Sequence, residues 1–164
     1  MKTVILCKLI VIVILVCFTP VSYAFETLTG RVVGVHDGDT ITLLTAENQT
    51  IQIRLAQIDA PELSQAFGQR SKQSLSDLVF NKTIKVVKTT DEKTYGRTLG
   101  TLLVGGIDAN KEQVRRGMAW AYRQYLHDRS LLLVEADARQ NKTGLWSDPN
   151  LIAPWEYRHE AFRF

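Results

Sequence analysis

Cysteine is nearly absent from this 164-residue chain: Cys7 and Cys17 are the only two, and both fall in the first 24 residues. With that stretch set aside, neither a disulfide framework nor thiolate chemistry is open to the remainder, and an oxidising compartment places no demand on it. Histidine is scarce too, and His36, His127 and His159 lack the spacing of metal ligands. Neither sign of charge is in large excess, with 20 Lys and Arg against 17 Asp and Glu, and no internal repeat or linker interrupts the sequence. The total charge therefore gives no support to a polyanionic partner, although local fields can steer one.

What stands at the start is a charged and then apolar segment. Lys2 and Lys8 precede or interrupt an apolar run over residues 9–18 that ends at Pro20, and small Ser22 and Ala24 suit a cleavage after Ala24. This has the form of a secretory signal peptide over residues 1–24, with the mature chain beginning at Phe25. About ten apolar residues rising about 1.5 Å each are too few for a comfortable bilayer crossing. A retained anchor and lipid attachment at Cys17 are the competing readings, but Val16 stands where lipid attachment favours a small residue. Removal takes away two lysines and no acid, so 20 against 17 becomes 18 against 17 and the formal charge falls from +3 to +1.

About 140 residues then remain, from 25 to 164, enough for one domain with an ordinary core. Alternating or apolar stretches at 27–35, 40–44, 51–55, 84–88 and 99–104 predict five short strands, with turns at Asp37-Gly38, Glu47-Asn48, Tyr95-Gly96 and Gly105-Gly106. Periodicity predicts a first helix over 63–80, with Phe67, Leu75, Leu78 and Val79 on one face. A second runs from a cap at Asp108 to about Trp120, with Val114 and Met118 on one side. A third runs from Asp128 to about Asn141, with Leu132, Ala136 and Ala138 or Arg139 inward and Gly144 as its stop. The expected fold class is α+β, a barrel or strongly curved sheet of five strands with three helices packed beside it. From about residue 147 the chain is expected to wrap the surface as a tail rather than add an element.

Carboxylates and arginines recur in three short strings, HDGDT at 36–40, RLAQIDAPE at 54–62 and YGR at 95–97. Gly38 lets Asp37 and Asp39 share a tight turn, and Pro61 fixes the bend between Asp59 and Glu62. If the strand beginning at Thr40 pairs with one ending near Asp59, then Asp39 and Asp59 meet at the open end of a hairpin and offer oxygen ligands to a hard cation. Calcium suits a loose, water-rich site that also takes a backbone carbonyl, such as that of Ala60, whereas magnesium asks for tighter octahedral geometry. Arg54 and Arg97 can each aim a planar fork at phosphate oxygens, where a pentacoordinate phosphorus gathers negative charge. Each string also has a plain reading. Asp-Gly and Asp-Ala-Pro form turns, Arg54 pairs with a nearby acid, and Arg97 is a solvated turn residue. The joint supply of metal ligands, a base and two cations on one edge favours phosphodiester hydrolysis. His36 is placed as a loop residue bonded to the turn, and Asp37 as a residue that shapes that loop.

On these three strings, in order and spacing, the chain resembles the thermonuclease, or staphylococcal nuclease-like, family over roughly residues 31–146. The resemblance implies an OB-type β-barrel of five strands with three packed helices and an active site at the barrel edge. It implies calcium, with magnesium less suited, held by Asp39, Asp59 and the Ala60 carbonyl, and Glu62 as general base. Arg54 and Arg97 take the places of the catalytic arginines, on the scissile phosphate and on the developing charge. Cleavage would leave 3′-phosphate ends on single- or double-stranded DNA and RNA, with little sequence specificity because the contacts address the backbone.

Two departures mark the carry-over. Ala60 replaces a threonine of the best-known members, which keeps the carbonyl and loses a hydroxyl. In the stretch 119–125, Tyr125 aligns with one nucleotide-flanking aromatic, Arg123 falls where another would be, and Tyr122 is adjacent. Substrate contacts are therefore assigned to Tyr125, Tyr122 and Arg123, with packing as the plain reading for Tyr122 and Trp120 and a solvated face for Arg115, Arg116 and Arg123. The closing string LIAPWEYR at 151–158 is similar to the endings of bacterial relatives and carries no assigned mechanism. The rival class is a non-catalytic OB-type module that binds nucleic acid or protein, but such degeneration would delete a metal carboxylate or the arginine pair, and all are present. The protein is expected to be monomeric, secreted or periplasmic, and without stable membrane association once the leader is removed.

Overall fold

The computed structural model describes residues 26–94 and 96–161. The expected signal peptide at 1–24 and Tyr95 of the YGR string lie outside the described residues. In chain order the elements are β1 (Thr27–Val35), β2 (Thr40–Thr45), β3 (Thr50–Leu55), β4 (Ile58–Asp59), α1 (Gly68–Val79), β5 (Thr83–Thr94) and β6 (Arg97–Val104). They are followed by β7 (Ile107–Asp108), α2 (Ala109–Arg115), β8 (Trp120–Ala121), α3 (Ser130–Gln140) and α4 (Pro154–Ala161). No helix among the described residues is long and apolar enough to cross a membrane.

The five long strands lie in the order β3-β2-β1-β5-β6, each antiparallel to its neighbour, and a parallel pairing of β3 with β6 closes them into a mixed barrel. Alternation drives the closure. In β6 every second residue is buried, and Val32, Ile41, Leu43, Ile53, Leu55, Ile84, Val86 and Leu102 fill the interior from five strands. A bulge between Val32 and Gly34 in β1 supplies a bend in the sheet. This is the expected five-stranded barrel, with β1 at the expected bounds and the other four strands a residue or more longer than the sequence suggested.

The helices differ more from expectation. The first begins at Gly68 rather than residue 63, because the chain after Pro61 makes two successive turns, Gln65 N–H to Glu62 O and Gly68 N–H to Gln65 O, and Phe67 adopts a left-handed φ of 67°. The second is capped as expected, with the Lys111 N–H donating to Asp108 at 3.0 Å, but stops at Arg115 rather than about Trp120. Gly117, at φ +61°, turns the chain out of the helix, and Trp120–Ala121 become β8, antiparallel to β4. In α3 the buried residues are Leu131, Glu135 and Ala138 rather than Leu132 and Ala136, so the stripe is displaced round the helix. Its stop is Lys142 at φ 52°, while Gly144 opens a short 3-10 turn, Gly144–Ser147. The tail corrects the expectation most. It is not only a surface wrap, since Pro154 begins a fourth helix, a position where the ring removes an N–H that has no helical partner.

Asn110 in α2 secures the barrel at its seam. Its Oδ1 accepts from Leu102 N at 3.1 Å, and its Nδ2 donates to Ala56 O at 3.0 Å and Gly100 O at 3.1 Å, beside the Ala56 N–H bond to Gly100 O. The side chain is buried, so without it the Leu102 N–H and the Ala56 carbonyl would lose these bonds away from water, while Gly100 O would keep the Ala56 N–H. Asn110→Ala is expected to lower the unfolding free energy by about 1–3 kcal/mol, measured by urea titration.

Candidate active site

The site grows from the turn between β1 and β2. Asp37 Oδ1 accepts the Asp39 N–H at 2.9 Å, so Asp37 shapes the loop as its position in an Asp-Gly turn suggested. Gly38 is needed for space: a Cβ there would overlap the Ser71 hydroxyl and meet the Ala60 Cβ at 2.7 Å. The Gly38 carbonyl accepts from buried Gln113 Nε2 at 2.8 Å, which binds the turn to α2. The His36 backbone N–H donates to Thr40 O at 2.9 Å and closes the turn, while its ring bonds Thr42 on β2 at 2.7 Å.

Asp39 and Asp59 do meet, but the expected hairpin is not the cause. Thr40 pairs with Arg54 on β3, which ends at Leu55, and Asp59 lies on the separate β4, held by β8. Arg54 joins the two. Its Nη1 lies 3.1 Å from Asp39 Oδ2 and its Nη2 3.0 Å from Asp59 Oδ1, while Nη1 also donates to the carbonyls of Leu55 at 2.9 Å and Ile58 at 3.1 Å. Three of the five N–H groups of the guanidinium thus donate within the protein, which fits its plain reading as an ion-pair partner and leaves two for a ligand.

Glu62 stands at the rim, 39% exposed at its side chain, and accepts from Arg158 Nη1 at 2.8 Å. Arg158 also grips Asp59, with Nη2 at 2.7 Å from Oδ2 and Nη1 at 3.2 Å from Oδ1. Arg97 opens β6 on the far side and reaches Thr40 Oγ1 at 3.5 Å. These groups surround a cavity of about 800 Å³ that Tyr122 and Tyr125 also line. Tyr125 is exposed, and Tyr122 is half-buried between Tyr125, edge-on at 5.0 Å, and Trp155 of α4, stacked at 5.5 Å and 3°. Trp120 is buried packing, as its plain reading held. Arg123 does not face this cavity; it borders a smaller neighbouring groove and pairs with buried Glu135 at 3.3 Å.

Burial sets the electrostatics. Asp39 is almost fully enclosed, and the loss of water, with repulsion from Asp37 and Asp59, pushes its carboxyl up to about 7 even though Arg54 and the Ala60 N–H pull it down. The Tyr122 phenol is raised by burial and then by the Asp59 charge. Bonds to Asp59 and Glu62 hold the Arg158 guanidinium firmly protonated. Among the described residues no three Asp, Glu, His or Cys side chains gather as a metal cluster. A cation here would rest on two carboxylates, the Ala60 carbonyl and water, a hard-oxygen set that calcium accepts. The Asp39 carboxyl, costly to ionise where it sits, is a group that a dication would relieve.

Sequence reasoning missed Arg158 and Trp155, and it passed over His127 and His159, which also line the cavity. One signal was available for the first two. Pro154 marks a helix start, and Trp155 and Arg158, three apart, then share a face.

The family model described as "Staphylococcal nuclease homologue" matches residues 52–148. The chain is 44% identical over 154 residues to a Haemophilus influenzae protein named "Uncharacterized endonuclease", covering 93% of this chain and 86% of that one. It is 43% identical over 149 residues to the "Micrococcal nuclease" of Shigella flexneri, covering 84% of each chain. It is also 42% identical over 151 residues to "Protein ParB" of Escherichia coli, covering 85% of this chain and 84% of that one.

The buried Asp39 carboxyl has a consequence for pH. Its folded value of about 7 lies above the unfolded value of about 3.9, so between the two the folded state binds the extra proton and stability rises as pH falls. In chelator, Asp39→Asn is expected to melt above wild type at pH 8, with the gap closing towards pH 5, as followed by circular dichroism. A variant that melts below wild type at pH 8 would show that the Arg54 pairing outweighs the burial cost.

Proposed function

The chain belongs to the staphylococcal nuclease homologue family, and from that premise we propose that it hydrolyses the phosphodiester backbone of DNA and RNA with calcium, leaving 3′-phosphate ends. Relatives named endonuclease and micrococcal nuclease, similar over most of its length, make it a nuclease. The observation that carries the reading is one guanidinium, Arg54, bridging buried Asp39 and Asp59 at a cavity that Glu62 and Arg97 also line.

In this reading Asp39, Asp59 and the Ala60 carbonyl hold the cation, which when bound supplies positive charge to the phosphate oxygens and to the attacking water. Glu62, at the rim and reached by solvent, accepts the proton of that water. Arg97, whose one side-chain contact among the described residues is a long one to Thr40, swings towards the phosphate and meets the charge that develops there. Arg54 fixes the two carboxylates and offers its remaining donors to the scissile phosphate. Exposed Tyr125 and the Tyr122 face flank the nucleotide. Arg123, tied to Glu135 outside the cavity, is left with a peripheral contact to the strand. With no array for reading base edges among these groups, sequence specificity is low. The charged and apolar start of the chain supports export to the periplasm or the medium.

Purified protein is expected to cut single-stranded DNA with calcium, poorly with magnesium and not at all in chelator. The fragments should resist extension at their 3′ ends by a terminal transferase until a phosphatase removes their 3′-phosphates. Glu62→Gln and Arg97→Ala should each lower kcat/KM by about 10²–10³. Folded wild-type protein that binds DNA but cleaves none with any metal would sink this reading in favour of a binding module.

A further inference from the structure

The nuclease reading gives no part to the C-terminal helix, yet α4 reaches the centre of the site. Trp155 fixes its position, stacked on Tyr122 at 5.5 Å and edge-on to Trp120 at 6.4 Å. Three contacts then fasten this segment to the short loop that carries Glu62: Arg158 to Glu62 at 2.8 Å, Tyr157 Oη to Ser64 Oγ at 3.0 Å, and Gln65 Nε2 to the Ile152 carbonyl at 2.6 Å. The loop itself sits on Gly68, where a Cβ would overlap the Glu62 carbonyl oxygen, so its backbone path is fixed from below as well.

We propose that Arg158 is a positioning residue of the active site, which sets the orientation of Glu62 by spanning it and Asp59 with one guanidinium. The geometry is specific. Arg158 takes both oxygens of Asp59, 1% exposed at its side chain, but only Oε1 of Glu62. Among the described residues no other donor bonds the Glu62 side chain, which lines the cavity and keeps Oε2 without a protein donor. Glutamate has three side-chain torsions and here stands on a loop beside a like charge, so without the bridge it would turn away from Asp59 into solvent. A planar fork can hold both carboxylates at once; a lysine ammonium on a flexible stem cannot hold the same pair with the same geometry. The chain segment that closes the site is therefore 96 residues from the carboxylate it orders.

This rests on the nuclease reading, and its test separates the two. Single-stranded DNA cleavage is measured for wild type, Arg158→Ala, Arg158→Lys, Glu62→Gln and the Glu62→Gln/Arg158→Ala double variant, with melting temperature as the check on folding. Arg158→Ala is expected to lower kcat about tenfold or more with KM changed less than about threefold, and Arg158→Lys to stay about fivefold or more below wild type. Because Arg158 acts through Glu62, removing it from the Glu62→Gln protein should cost less than about threefold. If Arg158→Ala unfolds, Arg158→Lys decides. Wild-type protein that cuts no DNA overturns the nuclease reading and this proposal with it. Active wild type with Arg158 variants that cut as fast or faster, or with losses that simply add to that of Glu62→Gln, overturns the proposal alone.

Discussion

Two buried carboxylates of like charge sit side by side in this protein, and the Arg54 guanidinium between them is what makes that possible. Asp39 and Asp59 are 4% and 1% exposed, and an isolated carboxylate in such a place would cost several kcal/mol. Arg54 meets both at about 3 Å while its Nη1 donates to the carbonyls of Leu55 and Ile58, so one planar group also fixes the chain reversal between β3 and β4. The compensation is incomplete: burial still lifts Asp39 far above the usual carboxylate range. A site held in that condition has a standing affinity for positive charge, and the fold spends packing and hydrogen bonds elsewhere to maintain it.

Those bonds come mainly from α2. Gln113, fully buried, donates to Gly38 O and to Ser71 O and accepts from Ser74, so it joins the acidic turn to α1. Three residues earlier on the same helix, Asn110 joins β3 to β6 across the seam of the barrel. A seven-residue helix is too short to be stable by propensity, so its place here depends on these buried amides and on Val114 and Ala109 in the core. In return it determines both the barrel closure and the position of Asp39. Rigid scaffold and reactive carboxylate thus share the same polar network, which is why a fully satisfied interior matters to the site as much as to stability.

Much of the barrel was legible in the sequence, because half-buried strands alternate with period two and Asp-Gly or Gly-Gly marks their turns. The acidic half of the site was legible too, since Asp37-Gly38-Asp39 and Arg54 to Glu62 are short strings in which spacing implies proximity. The Asp108 cap and a stop near Asn141 were legible as well, but the start of α1 was not, because Phe67 carries left-handed backbone with a side chain that ordinarily avoids it and does not announce a turn. Nor did alternation reveal β4 and β8, two residues each, which exist because Asp59 and Trp120 are brought together by tertiary packing. Arg158 was hidden for a different reason. Its partners are 96 and 99 residues away, and only the seating of Trp155 on Tyr122 tells which way α4 faces.

The charge inventory explains why net charge was a poor guide to the partner. Around one cavity stand four carboxylates, Asp37, Asp39, Asp59 and Glu62, and three guanidiniums, Arg54, Arg97 and Arg158, a local sum of one negative charge in a chain whose total is +3. Neither figure describes what a polyanion meets. Asp39 and Asp59 are turned inward and committed to Arg54, whereas Arg97 and Arg158 stand at the rim, the latter 37% exposed. At the rim an approaching phosphate meets Arg97 and Arg158 together with the Glu62 carboxylate that Arg158 holds, and a dication held by the inner pair would convert the negative centre into an attractive one. The cation-binding pair lies inside, and two guanidiniums stand nearer the opening. Such ordering arises only when the turn at Gly38, the loop at Glu62 and the helix at Arg158 are folded against one another, so no composition average could contain it.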